Sequence, residues 1–162
     1  MTVSPSPFYH FGILVEDLDE AIERFCDLFG LTFIGPRTFR INRLADPDEH
    51  LLEVQAAYSH QGPPHLELIQ AAGDGLYSLS RLGFHHVGLW DPAIDTNRET
   101  YLSAKALRPD ARVITPADGT LAWFSHPSSA CGIRFEFVDE SMKAPAEELI
   151  QLGGERRGEV FL

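Results

Sequence analysis

The sequence is poor in several features that would assign a class of protein at once. It has only two cysteines in 162 residues, and Cys26 and Cys131 form neither a CxxC motif nor a disulfide-rich pattern. Reduced thiols and a cytoplasmic location are therefore expected. No apolar run reaches the roughly 18 residues of a membrane span, and the N-terminal segment does not resemble a secretory signal. Basic residues are also scarce, since 13 Lys and Arg face 24 Asp and Glu. The net charge of −11 argues against nucleic acids and membranes as partners.

What is present is a globular composition arranged as an internal repeat. Apolar residues make up 44% and charged residues 23% of the chain, so one domain can fold without a disulfide or a metal. The first copy, 8–72, opens with a β-branched and aromatic strand from Phe8 to Val15. A helix follows, which Asp17 can cap and Gly30 can end. Further strands are predicted at 31–34, 38–44, 51–58 and 65–70.

The second copy, 83–140, repeats this order. A strand is predicted at 84–90 and a helix at about 95–107, for which Thr96 and Glu99 are spaced as a capping box. Strands are predicted at 112–115, 121–126 and 132–138, and a short helix at 145–152 precedes a polar tail. The repetition predicts two modules within one domain.

Both copies carry the same pair of motifs. Phe-x-His-x-Gly occurs around His10 and again around His86, and an apolar-Glu-apolar triplet occurs at Glu67 and again at Glu136. Because side chains alternate along a strand, His10 is expected on the face opposite to Tyr9. A glutamate between two bulky apolar residues is costly to bury unless it is paired or bound to a cation.

The duplicated motifs predict a metal site formed by His10, Glu67, His86 and Glu136. Two nitrogen and two oxygen ligands suit one borderline divalent ion such as Mn, Fe, Co, Ni or Zn, and they leave positions open for water or a substrate oxygen. A structural role is the alternative for each residue taken alone. The remaining histidines are predicted to pack, to form hydrogen bonds or to lie in solvent: His50, His60, His65, His85 and His126.

These motifs resemble those of the vicinal oxygen chelate superfamily, which includes glyoxalase I, methylmalonyl-CoA epimerase, bleomycin-resistance proteins and extradiol dioxygenases. The segment from His10 to Ala21 is similar to the opening strand and helix of the superfamily. The segment from Gly83 to Gly88 and that from Gly132 to Glu136 are most similar to its epimerase-like branch. The resemblance implies an α+β fold in which two tandem βαβββ modules form a cupped mixed sheet around one metal ion. A single domain over 1–162 is therefore expected.

The resemblance further implies an enzyme of the isomerase, epimerase or lyase type that removes a proton next to a substrate carbonyl. By position, the four predicted ligands match the metal ligands of the superfamily. Glu136 is a candidate base, and so is Glu49, which lies in the region where the epimerases carry a glutamate outside the ligand set. Asp48 and Glu53 are the nearest alternatives to Glu49.

Several alternatives stay open at this stage. An extradiol-type dioxygenase and a non-catalytic, resistance-type binding protein share the fold. The substrate is expected to be a small carbonyl compound, and an acyl-CoA is one candidate, although no cluster of Lys or Arg marks a site for CoA phosphates. Asp91-Pro92-Ala93 also replaces the apolar-Asp-Asp that is usual after the second histidine strand. A homodimer and a self-contained monomer are both compatible with the sequence.

Overall fold

A computed structural model describes residues 8–153 and 158–162. It contains three helices, nine strands and three single-turn 3-10 helices within these residues. In chain order the longer elements are β1 Phe8–Val15, α1 Leu18–Phe29, β2 Arg37–Ala45, β3 Glu49–Tyr58, β4 His65–Gln70, β5 Gly83–Asp91, α2 Ile94–Ser103, β6 Pro109–Ile114, β7 Thr120–Ser125, β8 Phe135–Asp139, α3 Lys143–Leu152 and β9 Gly158–Phe161.

The strands form one mixed sheet that curls into a closed barrel. Their order is β3-β4-β1-β5-β8-β7-β6-β2-β9, and β2 also pairs with β3. The fold is therefore of the α+β class with a curled mixed sheet, as the resemblance to the superfamily implied. The cup is closed by a short antiparallel contact, in which Leu44 and Ala45 of β2 pair with Val113 and Arg112 of β6.

The apolar core divides between the inside of the barrel and the helices that cover it. Side chains such as Ile41, Val54 and Phe124 form the largest cluster of buried residues. Helix α1 contributes Leu18, which packs on Ala57 and Leu68. Helix α2 contributes Ile94, which packs with a second cluster that includes Leu89, Trp123 and Phe137. Helices α1 and α2 therefore each bury apolar side chains against the strands of their own half of the chain.

Local sequence signals determine the ends of α1 as expected. The Asp17 side chain accepts a hydrogen bond from the Glu20 amide at 2.9 Å, which satisfies one of the free donors of the first turn. Gly30 adopts the left-handed conformation with φ of 64° directly after the last helical residue. The cap and the stop therefore lie where the sequence predicted them.

Helix α2 differs from its prediction at both ends. It begins at Ile94, and the Asp91 carboxylate rather than Thr96 accepts from the Ala93 amide, at 3.0 Å. The predicted capping box is therefore wrong, because the start of the helix is fixed by the turn that follows β5. At the other end Ala106 has a positive φ of 55°, so the helix ends at Ser103 and does not reach 107.

Several strand predictions also need correction. Strand β6 begins three residues before its predicted start, and residues 132–134 lie outside β8. Residues 31–34 form no strand, and only Phe33 makes an isolated bridge, to Ser59. The pairing of β1 with β5 shifts register between Phe8 and His10, so strict alternation fails at this point. As a result Tyr9 and His10 are both buried, and both line the central cavity.

The C-terminal part of the chain lies differently from what the sequence suggested. Helix α3 begins at Lys143, two residues before its predicted start, and ends at Leu152 as predicted. Of the predicted polar tail, residues 154–157 lie outside the described residues, whereas Gly158–Phe161 form β9 beside β2. Among the residues that the structure describes, no helix is both long and apolar enough to cross a membrane.

Candidate functional site

The structure brings together all four residues that the sequence predicted as metal ligands. They are termed the His–Glu cluster here: His10 of β1, Glu67 of β4, His86 of β5 and Glu136 of β8. The Nε2 atoms of the two histidines lie 2.8 Å apart. One carboxylate oxygen of each glutamate lies 2.9–3.3 Å from both of these nitrogens. The four side chains therefore direct one donor atom each to a common point.

Two glycines make this convergence possible. In the antiparallel pairing of β1 with β5, Gly12 lies opposite His86 and Gly88 lies opposite His10. A Cβ atom at either glycine would collide with the imidazole ring across from it. The glutamate of β4 is in register with Gly12 and that of β8 with Gly88. Each Phe-x-His-x-Gly motif therefore supplies a histidine and also the space for the histidine of the other module.

Three members of the cluster are buried and Glu136 is partly buried, so the four side chains strongly affect one another's charge. Burial by itself would raise the pKa of Glu67 and of Glu136, but the nearby histidines lower both below the ordinary range. Burial by itself would lower the pKa of His10 and of His86, but the two carboxylates raise both. Two largely buried carboxylates therefore require positive charge between them.

The positions of the four donor atoms fit a divalent cation between them better than they fit protonation of both histidines. If both imidazoles were protonated, their Nε2–H groups would face each other across 2.8 Å. Donors bound at about 2.1 Å to one ion lie about 3.0 Å apart at right angles and about 3.4 Å apart at tetrahedral angles. The observed separations between the histidine nitrogens and the carboxylate oxygens, 2.9–3.3 Å, are within about 0.1 Å of this range.

The orientation of His86 is fixed by a chain of two hydrogen bonds. His85 Nε2 lies 2.9 Å from the carbonyl oxygen of Leu76, which can only accept, so this nitrogen carries the proton. Burial and the charge of the neighbouring His86 lower the pKa of His85 to about 3, so its ring is neutral and Nδ1 is an acceptor. His86 Nδ1 lies 2.8 Å away and donates to it. The lone pair of a neutral His86 is thereby placed on Nε2, where it faces the cluster.

The two glutamates of the cluster differ in their other contacts. The Tyr58 hydroxyl donates to Glu67 at 2.5 Å. Burial and the charge of Glu67 hold the pKa of Tyr58 well above its usual value, so the phenol keeps its proton. Among the described residues, the carboxylate of Glu136 has no polar contact besides the two histidines. Glu67 is therefore held by a third group, the Tyr58 hydroxyl, that has no counterpart at Glu136 among the described residues.

The structure does not bring Glu49 to the cluster. Glu49 is the first residue of β3 and pairs with Ala45 at the end of the β2–β3 hairpin. Its exposed carboxylate binds the guanidinium of Arg43 through two contacts of 2.6 and 3.2 Å, and it does not line the cavity. Asp48 and Glu53, the alternatives, are likewise exposed and absent from the cavity wall.

A cavity of about 250 Å³ opens beside the His–Glu cluster. His10, Glu67 and Glu136 contribute to its wall, and apolar and aromatic side chains form most of the remainder. Sequence reasoning missed Tyr58, Tyr77 and the residues of α3 as parts of this wall. The apolar face of α3 was a visible signal, but a sequence pattern does not say which surface such a face covers.

The other predictions for single residues have clear outcomes. Cys26 and Cys131 are both free, as the absence of a cysteine motif suggested. His85 forms hydrogen bonds as predicted, although its partner is a member of the cluster. His65 is buried and bonds through Nδ1 to the Ser59 carbonyl, and His126 accepts from the Ser128 amide in the loop after β7. Both therefore have structural roles.

Comparison with protein families identifies the class of protein. Residues 9–124 match the model of the glyoxalase, bleomycin resistance protein and dioxygenase superfamily, so the chain belongs to this superfamily. The match begins in β1 and ends in β7, which leaves β8, α3 and β9 outside it. No curated protein matches the chain.

Solved structures with the same fold include methylmalonyl-CoA epimerases. The enzyme from Mycobacterium tuberculosis superposes with a TM-score of 0.59 at 19% identity, over 90% of this chain and 95% of that one. A variant of the Streptomyces coelicolor enzyme, in complex with 2-nitronate-propionyl-CoA, gives 0.58 at 18% identity, over 84% and 98%. A hypothetical protein from Bacillus halodurans gives 0.57 at 20% identity, over 82% and 92%. At these identities the comparisons establish the shared fold.

Proposed function

We propose that this protein is a metal-dependent isomerase, epimerase or lyase that removes a proton next to a substrate carbonyl. The observation that carries the proposal is the convergence of two histidines and two glutamates, one pair from each half of the chain, on one buried point beside a cavity. His10, Glu67, His86 and Glu136 would hold one divalent ion, and Mn, Fe, Co, Ni and Zn all suit this donor set. Such an ion supplies Lewis acidity, which polarises a carbonyl and stabilises the charge that develops on its oxygen.

We assign the role of base to Glu136. Its carboxylate lines the cavity and, unlike Glu67, is not held by a tyrosine hydroxyl. It would act as a base when it is not bound to the ion. It would then accept the proton when the carbon–hydrogen bond next to the carbonyl breaks, and it would return that proton to carbon in the second half of the reaction. Glu49 is less well placed for this role, because its carboxylate is engaged by Arg43 outside the cavity.

The substrate that this site suits is a small carbonyl compound. An acyl-CoA is a candidate because several structures of the same fold are methylmalonyl-CoA epimerases. Both halves of the His–Glu cluster lie in one chain, so a monomer can form the site, and a homodimer stays a prediction. A cytoplasmic location also stays a prediction, which the two free cysteines support.

The proposal is tested by proton exchange in heavy water. Metal-loaded protein is incubated with a panel of acyl thioesters, hydroxyketones and glutathione hemithioacetals, and deuterium on the carbon next to the carbonyl is followed by NMR. We expect exchange with at least one class, loss of that exchange after treatment with a chelator, and recovery when a divalent ion is restored. A lack of exchange across the whole panel would contradict the proposal. Oxygen uptake with catechols would then favour a dioxygenase, and ligand binding unaffected by chelator would favour a binding protein.

The hydrogen-bond chain through His85 leads to a separate prediction. In the His85→Phe variant, His86 Nδ1 loses its acceptor, and the ring is free to turn its lone pair away from the cluster. We expect metal affinity to fall roughly 10- to 100-fold, as is typical when the group that orients a metal-binding histidine is removed. Isothermal titration with Zn²⁺ or Co²⁺ measures the effect. His85→Asn, whose side-chain oxygen can accept from His86, is expected to recover part of the affinity, and equal affinity in wild type and His85→Phe would refute the assigned orientation.

A further inference from the structure

The wall of the cavity is apolar almost everywhere except at the His–Glu cluster. Besides the three cluster members and three tyrosines, the described residues that line it are hydrophobic, for example Phe39, Ile41, Val54, Val113 and Leu121. No Lys or Arg is among the described lining residues. A charged group in this space would therefore lose its hydration without gaining an oppositely charged partner, except beside the His–Glu cluster.

Strand β2 carries three arginines: Arg40 and Arg43 are engaged by carboxylates outside the cavity, and the buried Arg37 does not line it. Arg40 pairs with Glu53 at 3.1 Å, and Arg43 binds both Glu49 and Asp118. Both guanidinium groups are thus neutralised by surface carboxylates. The excess of acidic residues over the whole chain adds to the penalty for an anionic ligand.

The C-terminal part of the chain completes the apolar wall. Strand β2 pairs with β6 only at its last two residues, whereas its first four, Arg37 to Arg40, pair with β9. Leu162 follows β9, donates its amide to the Arg40 carbonyl at 3.0 Å and lines the cavity. Strand β9 therefore occupies the edge of β2 that β6 leaves unpaired.

Helix α3 covers the same cavity with one face. Met142 directly before the helix, and Ala146 and Leu149 within it, line the cavity, and the neighbouring Ile150 is buried against Tyr9 and Trp90. Both α3 and β9 lie outside the residues that match the superfamily model, which end at 124. The enclosure is therefore a property of this chain beyond the matched region.

Because the cavity is enclosed by apolar side chains, we propose that the substrate is an uncharged, largely apolar carbonyl compound. This inference rests on the proposed function. Its oxygen-bearing end would face the His–Glu cluster, and its hydrocarbon or aromatic body would be surrounded by the barrel interior, α3 and Leu162. A phosphorylated substrate or a coenzyme A thioester carries several negative charges for which this wall offers no partner. The site thus selects its substrate by exclusion of charge as well as by apolar contact.

The test uses three ligands that share a hydroxyketone group and differ in what is attached to it. They are 2-hydroxy-1-phenylpropan-1-one, acetoin and dihydroxyacetone phosphate, and propionyl-CoA serves as the thioester probe. Binding to metal-loaded protein is measured by calorimetry and by the fluorescence of the buried Trp90 and Trp123. We expect the phenyl compound to bind roughly 10- to 100-fold more tightly than acetoin, because its ring leaves water for the apolar wall. The two phosphate-containing ligands are expected to bind more weakly than acetoin.

Two positions on α3 provide a matched pair of variants. Leu149→Asp places a charge in the cavity wall, and Leu152→Asp places the same charge on a side chain that is 74% exposed. Affinity for the phenyl compound is expected to fall at least about tenfold in the first variant and to stay unchanged in the second. Leu149→Ala, which is mild enough to preserve the helix, is expected to weaken binding several-fold. Circular dichroism and thermal unfolding verify that each variant is folded.

The outcomes separate this inference from the proposed function. Tighter binding of dihydroxyacetone phosphate or propionyl-CoA than of the phenyl compound would overturn the inference, and proton exchange with an acyl-CoA would still uphold the proposed function. Equal loss of affinity in the Leu149→Asp and Leu152→Asp variants would also overturn it. Selective binding of the phenyl compound without metal binding or exchange would uphold the inference and contradict the proposed function.

Discussion

The His86→Ala variant is expected to lose metal binding, with an affinity at least about 100-fold below that of the wild type. His86 offers one of the four donor atoms of the His–Glu cluster, and its Nε2 lies 2.8 Å from His10 Nε2. Its removal also leaves Glu67 and Glu136 without one of the two groups that compensate their charge. The metal content after dialysis, measured by inductively coupled plasma mass spectrometry, is expected to fall from about one ion per chain to near zero.

The control for this experiment is another histidine of the same chain. His60 is exposed and contacts Thr32 at a distance from the cluster, so His60→Ala is expected to retain its metal. Because an unpaired buried carboxylate destabilises a fold, the thermal midpoint is recorded for both variants. His86→Gln, which preserves more of the side-chain volume, is examined in parallel. Retention of one ion at wild-type affinity in both His86 variants would show that His86 is not a ligand.

The second large effect is expected from the two glutamates, which are related by the internal repeat but differ in role. Glu136→Gln removes the proposed base and preserves the shape of the side chain. We expect the rate of proton exchange to fall roughly 100- to 10,000-fold, the range for loss of a general base. The loss is expected in kcat more than in KM, since the amide oxygen still occupies the same position.

Glu67→Gln is the matched comparison, because its amide oxygen can still accept from the Tyr58 hydroxyl. Its exchange rate is expected to fall by much less than that of Glu136→Gln, and metal content is determined for both variants so that loss of the ion is not mistaken for loss of the base. Equal rates in the two variants would contradict the assignment of the base to Glu136. A larger loss in Glu67→Gln would transfer the role to Glu67.

The residues of the His–Glu cluster could be found from the sequence because the signal was duplicated. A single histidine in a strand has many uses, but the same spacing of His and Gly occurs in both halves, each with a glutamate in a later strand. The structure adds the reason for the glycines. His10 lies opposite Gly88 and Gly12 opposite His86, a relation across strands that no pattern within one strand can reveal.

Other parts of the site were not accessible to sequence reasoning. Glu49 lacks the apolar neighbours that single out Glu67, but its place at the end of a hairpin beside Arg43 follows only from the tertiary structure. His85 was predicted to form a hydrogen bond, but its partner depends on a ring orientation that the sequence does not encode locally. The cover formed by α3 depends on where the chain travels after β8, and helical periodicity predicts only that an apolar face exists.

The separation of the two histidines along the chain has a consequence for the order of folding. His10 and His86 are 76 residues apart, and each glutamate lies on a strand parallel to that of the histidine in its own half. Neither half alone can offer more than two of the four donors. The complete donor set therefore forms only when β1 and β5 pair, a long-range contact of the kind that slows folding. An ion with high affinity for the cluster would bind after this step. It would stabilise the folded protein against separation of the two halves, because only the paired halves offer all four donors.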